Sequence, residues 1–123
     1  MKKKILIVDD EESILEGFQE IFEKEGYEIS VATTGTEACE LAEQEKPDLV
    51  ILDYYLISDI SGVEVCTHIK NQKKLKNTKL IMITGVLAKK QAHDMMHFGF
   101  DKVLIKPVEN QHLIEEVRLL LSS

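Results

Sequence analysis

The stretch Asp48-Leu49-Val50-Ile51-Leu52-Asp53 constrains this chain more than any other. Its apolar run holds no turn residue and follows Pro47, which suits a strand start. Because it does not alternate polar with apolar, a strand made from it is buried on both faces, as a central parallel strand between two helix layers is. Its last residue is a carboxylate. Ligands of open α/β sheets bind at the carboxyl ends of the strands. Aspartate also ends strands simply by starting a turn. A second run of the same form, Ile5-Leu6-Ile7-Val8-Asp9-Asp10, favours the functional reading.

The remaining segments fill in around these two. Lys4 to Val8 is the first strand. From Glu12 the period becomes helical, with Ile14, Phe18, Ile21 and Phe22 on one face and Gly26 as the stop. Tyr27 to Ala32 reads as a shorter strand. Thr34 to Glu37 has the spacing of a capping box, with Ala38, Leu41 and Ala42 behind it. After the central strand, Tyr54 to Gly62 reads as a loop, and Val63, Cys66 and Ile69 mark a third helix. Asn71 to Thr78 is a polar, lysine-rich connection. Leu80 to Ile83 forms a fourth strand ending in Thr84-Gly85, and Lys89 to Phe98 a fourth helix ended by Gly99. Lys102 to Ile105 is a fifth strand ending in Lys106-Pro107, and Leu113, Ile114, Val117, Leu120 and Leu121 line a last helix. Strands alternating with helices through short connections predict one doubly wound α/β domain spanning residues 1–123, with a five-stranded parallel sheet. Right-handed crossovers put all strand ends on one rim.

That rim carries Asp9, Asp10, Asp53, Thr84 and Lys106. Two carboxylates about 4 Å apart repel by roughly 4 kcal/mol at an effective dielectric of 20. Converging carboxylates therefore call for a cation or for raised pKa values. Lys106 supplies one positive charge, and a hard dication, Mg²⁺ or Mn²⁺, would offset the rest. A metal, a lysine and a hydroxyl around a carboxylate are what phosphoryl transfer to that carboxylate requires, with Asp53 the natural nucleophile.

Taken in order, Ile5-Leu6-Ile7-Val8-Asp9-Asp10, Pro47 to Asp53, Ile81-Met82-Ile83-Thr84-Gly85 and Lys106-Pro107 make the chain resemble the receiver domain of bacterial two-component response regulators, over essentially its whole length. The resemblance implies a (βα)5 fold with the flavodoxin-like strand order 2-1-3-4-5. It implies that Asp53 is phosphorylated from a phosphohistidine on a histidine kinase or phosphotransfer protein. Asp10 would bind the metal directly, Asp9 directly or through water, and Tyr55 through its backbone carbonyl. Lys106 would pair with the phosphoryl oxygens, Thr84 would swing inward to them, and the Lys106–Pro107 peptide would be cis. The output would pass through the face of the fourth helix, fifth strand and fifth helix to a downstream protein, a fused effector domain or a second copy of the chain.

Four positions depart from the family pattern. Ile57 replaces a proline, Gly62 falls one residue late, Val103 stands where a switching aromatic is usual, and Phe100 where a small residue is usual. None removes a chemical group from the site. With Val103, a shift of the loop after Thr84 replaces rotation of an aromatic ring. Tyr55 and Val86 flank the path of the hydrolytic water and carry no carboxamide or carboxylate to orient it, which predicts slow self-dephosphorylation.

Composition excludes other classes. A net charge of −7 speaks against a nucleic-acid surface and against docking on anionic membranes. No apolar run reaches the length of a membrane span, and Lys2-Lys3-Lys4 leads into a strand rather than a signal peptide. Cys39 and Cys66 read as free buried thiols of a cytoplasmic protein. Glu11 and Glu12 belong to a helix start. His93, Asp94 and His97 share a region without a third ligand at zinc spacing, so a solvated or partner-facing helix is the better reading. Met95, Met96 and Phe98 read as core or interface, and Leu119-Leu120-Leu121 as a dimer surface or a junction. The alternatives are a pseudo-receiver that works without phosphorylation, a flavodoxin-like cofactor binder, and an aspartyl-nucleophile phosphatase. The intact rim disfavours the first, and Asp9-Asp10-Glu11-Glu12 would repel the phosphate the second must bind. The third lacks sequence for a substrate cap.

Overall fold

The computed structural model describes residues 2–53, 60–85 and 96–122. Five parallel strands, β1 (Lys4–Val8), β2 (Glu28–Ala32), β3 (Leu49–Asp53), β4 (Lys79–Thr84) and β5 (Lys102–Ile105), form one sheet in the order β2-β1-β3-β4-β5. This is the doubly wound 2-1-3-4-5 arrangement, in which β1 and β3 lie next to each other at the switch point. Register fixes their ends together: Val8 lies opposite Leu52, Asp53 opposite Ile83, and Thr84 opposite Ile105.

Strand side chains alternate between two cores. Leu6, Val8, Val50, Leu52, Leu80 and Met82 face α2 (Gly35–Glu45) and α3 (Gly62–Lys70), meeting Ala38, Ala42, Val65, Cys66 and Ile69. Ile5, Ile7, Leu49, Ile51, Ile81 and Ile83 face α1 (Glu12–Lys24) and the C-terminal helix (Asn110–Leu121), meeting Leu15, Phe22, Leu113 and Val117. Burying each of the larger of these side chains, Val, Leu, Ile, Met and Phe, contributes about 1.5–3 kcal/mol against the entropy of ordering it. The two-sided burial explains why the central strands read as unbroken apolar runs.

Helix ends follow local chemistry. Gly26, at φ +96°, ends α1 with the Tyr27 and Gly26 N–H groups donating to the Phe22 and Glu23 carbonyls. Tyr27 precedes β2 rather than opening it, and its ring packs 6.2 Å from that of Phe22. At α2 the Glu37 N–H donates to Thr34 Oγ1 at 3.0 Å. The Glu37 carboxylate reaches one residue further back than a capping box requires, to the Thr33 N–H at 2.8 Å. Lys46 closes α2 at φ 48°, a left-handed conformation that costs a non-glycine residue about 1 kcal/mol. Gly35 lies so close to Ile60 that a Cβ there would stand 2.8 Å from the Ile60 carbonyl oxygen.

The connection after α3 corrects the reading of Asn71 to Thr78 as purely solvated. It contains a 3₁₀ turn (Lys73–Leu75) that buries Leu75, and Thr78 is buried with its hydroxyl donating to the Pro47 carbonyl at 2.9 Å. One apolar residue among lysines leaves no period to read. Most of the expected fourth helix, including His93, Asp94 and Met95, lies outside the described residues, as does Ile57. Of that segment Met96 and Phe98 are exposed, and Gly99 follows at φ +110°. Phe100 is buried in the core beside Cys66, and Val103 packs half-buried against the same cluster. Cys39 and Cys66 are buried and form no disulfide among the described residues. The Cys66 thiol donates to the Phe98 carbonyl at 3.2 Å, and burial pushes its pKa up to about 11.

Candidate functional site

The site is assembled by strands ending side by side. Asp9 and Asp10 follow β1, Asp53 closes β3, Thr84 closes β4 and Lys106 follows β5. Oxygens of Asp9, Asp10 and Asp53 all lie within 4.8 Å of one another. Lys106 Nζ stands 3.5 Å from Asp53 Oδ2. The Lys106 N–H donates to the Thr84 carbonyl at 2.7 Å, which fixes the lysine's backbone to the end of β4. The Lys106–Pro107 peptide is cis.

The three carboxylates differ in setting. Asp9 is only 4% exposed, whereas Asp10 and Asp53 are half-buried. The Asp9 Oδ1 accepts the Glu11 N–H at 2.9 Å, so this side chain also braces the entry to α1, where Glu11 itself makes no side-chain cap. Burial pushes the Asp9 pKa up to about 6; the Glu11 N–H and Lys106 oppose this, while Asp53 and Asp10 reinforce it. A carboxyl held that high by burial and negative neighbours is one whose ionised form awaits a cation. Three hard oxygen donors with no sulfur or imidazole among them suit Mg²⁺ or Mn²⁺.

Thr84 is fully buried, and its hydroxyl has no hydrogen-bond partner among the described residues. An orphaned buried hydroxyl costs about 1–3 kcal/mol. Tyr55, expected to lend a carbonyl to the metal, and Val86, expected to flank the water path with it, lie outside the described residues. One helix cap is not singled out by the sequence analysis. Ser61 Oγ accepts the Glu64 N–H at 3.2 Å and so sets where α3 begins, through a Ser-x-x-Glu spacing visible in the chain.

Over residues 5–118 the chain matches the response regulator receiver domain family. It belongs to that family. The receiver domain is 37% identical over 124 residues to the alkaline phosphatase synthesis transcriptional regulatory protein PhoP of Bacillus subtilis, covering 98% of this chain and 49% of that protein. The chain thus spans about half the length of that relative. It is 30% identical over 121 residues to the polar-differentiation response regulator DivK of Brucella ovis, covering 98% of each. Among solved structures, the CheY-like response regulator receiver domain protein from Methanospirillum hungatei superposes with a TM-score of 0.91 at 32% identity, covering 99% of this chain and 95% of that one. The chain is accordingly a signalling domain of a two-component system, and the doubly wound sheet is the fold of its relatives. Among the described residues no helix is long and apolar enough to cross a membrane.

Proposed function

We propose that this receiver domain accepts a phosphoryl group on Asp53 from a phosphohistidine of a partner kinase or phosphotransfer protein, and relays that state to a downstream protein or effector. The observation that carries the reading is the Lys106 ammonium 3.5 Å from an Asp53 oxygen, beside a cluster of three carboxylates. An Asp53 oxygen attacks phosphorus in line, the P–O bond forms as the P–N bond to the donor imidazole breaks, and the electron pair leaves with the imidazole. Lys106 stabilises negative charge on the equatorial oxygens. Asp9 and Asp10, with Asp53 and the Tyr55 carbonyl, would hold Mg²⁺, which when bound neutralises charge on the phosphoryl oxygens. Asp9 also keeps the start of α1 in place through the Glu11 N–H.

The Thr84 hydroxyl supplies the relay. Without a partner among the described residues, it gains one when phosphoryl oxygens arrive, so phosphorylation favours whichever position of the end of β4 lets it reach them. The output face would include Val103 and the exposed Met96, Phe98 and Ile105, and could bind a partner or a second copy. The intact set of Asp9, Asp10, Asp53, Thr84 and Lys106 weighs against a pseudo-receiver.

Incubation with an acyl phosphate or phosphoramidate donor and Mg²⁺, followed by intact mass, tests the reading. One phosphoryl mass is expected on the native chain and none on Asp53→Asn. An Asp53→Asn protein that labels equally would refute it.

A further inference from the structure

At the opposite, amino-terminal edge of the sheet lies a cavity of about 330 Å³, within the size range of small-molecule sites. Lys3, Lys70, Lys76 and Lys79 line it, with Leu120 and Leu121 of the C-terminal helix as an apolar wall. These lysines come from four places: ahead of β1, the end of α3, the segment after the 3₁₀ turn and the start of β4. Asp48 is the one carboxylate in the lining, and its Oδ2 already accepts the Lys4 N–H at 2.8 Å.

Lys70 is anchored, donating to the Thr78 carbonyl at 3.1 Å and standing 3.8 Å from Asp101. Lys3, Lys76 and Lys79 make no ion pair or side-chain hydrogen bond among the described residues. The floor is firm. The Asp48 N–H donates to the Lys4 carbonyl at 2.8 Å, the Lys79 N–H to the Asp48 carbonyl at 2.9 Å, and Thr78 to Pro47. In a chain of net charge −7, cations gathered on one concavity over a fixed floor repel each other until an anion joins them. Ammonium groups serve as compact point charges toward phosphate.

We propose that this cavity binds a multiply charged phosphate compound, with the lysines on the phosphates and Leu120 and Leu121 beside any apolar part. The proposal uses no group of the acidic rim and stands or falls apart from phosphorylation at Asp53.

The test is titration of metal-stripped, chelator-free protein with ADP, inorganic tripolyphosphate and adenosine, followed by amide NMR. Saturable shifts are expected at residues 76–79 and 120–121 with ADP or tripolyphosphate. Affinity should fall about tenfold in Lys76→Gln/Lys79→Gln and decline as salt shortens the screening length. Tighter binding of ADP assigns an organic phosphate, and tighter binding of tripolyphosphate an inorganic one, through the same lysines. No saturation by about 5 mM, unchanged affinity in the double variant, shifts centred elsewhere, or adenosine binding as well as ADP would overturn the proposal.

Discussion

Asp9→Asn should stabilise the metal-free receiver domain, although it removes a group from the candidate site. The folded-state pKa of Asp9 is raised from 3.8 to about 6, chiefly by burial. Between those values the folded protein binds more protons than the unfolded chain. The stability tied to the protonated carboxyl is therefore complete below pH 3.8 and lost as the pH rises through 6. At neutral pH the ionised carboxylate costs up to about 3 kcal/mol, at about 1.4 kcal/mol per pH unit. Because the carboxylates beside Asp9 are only half-buried and leave water near it, this is an upper bound. Asparagine keeps an oxygen for the Glu11 N–H but not its charge, which returns about 1 kcal/mol. The expected net gain is about 1–2 kcal/mol above pH 7, or roughly 3–8 °C in Tm for a chain of this size.

Urea unfolding followed by circular dichroism, with a chelator present, checks both sign and pH dependence. The variant should exceed the parent at pH 7.5, and the gap should close toward pH 4.5 as Asp9 protonates. Adding Mg²⁺ should reverse the order, because only the parent retains the full set of carboxylates and binding to the folded state adds stability. A variant less stable than the parent at pH 7.5 without metal, or a difference flat with pH, would refute the reasoning.

Thr84→Val should stabilise the unphosphorylated protein by about 1 kcal/mol, since it removes a buried hydroxyl lacking a partner among the described residues; urea unfolding measures this, and amide shifts on phosphorylation should shrink. Lys46→Gly relieves a left-handed φ of 48° and should add about 0.5–1 kcal/mol to unfolding free energy. Gly35→Ala should cost about 1–3 kcal/mol, because the new Cβ meets the Ile60 backbone, with chemical-shift changes centred on residues 60–62.

Whatever lies in runs or at strand ends was legible in the sequence. The bounds of β1 and β5 were read to the residue, because both are short apolar segments between charged ones. The rim residues could be gathered on paper because parallel topology puts every carboxyl end on one edge. What sequence could not settle was which of Asp9 and Asp10 is buried. Adjacent side chains leave a strand end in opposite directions, and only the fold decides that Asp9 is the buried one that braces α1. Leu75 escaped notice for want of neighbours with which to form a period. The lysine-lined cavity was unreadable for a different reason. Lys3, Lys70 and Lys79 each look like ordinary solvated charge until the chain brings them together.

The rim's energetics fit its proposed use. A 3.5 Å contact between Lys106 and Asp53 is longer than a tight charge-assisted hydrogen bond of about 2.7–2.9 Å, and the lysine is 35% exposed. A pair of that kind contributes about 0–1 kcal/mol, so opening it to admit a phosphoryl group costs little. Burial makes ionised Asp9 costly, and Thr84 keeps a hydroxyl without a described partner. On the proposed function, each of these resting-state costs turns favourable at once: a dication meets the carboxylates, and phosphoryl oxygens meet both the ammonium and the hydroxyl. The two cores on either side of the sheet offset the strain meanwhile. A ligand shifts an equilibrium only by its differential affinity for the two states, and on this reading the dication and the phosphoryl group supply that difference by relieving costs the ligand-free site carries.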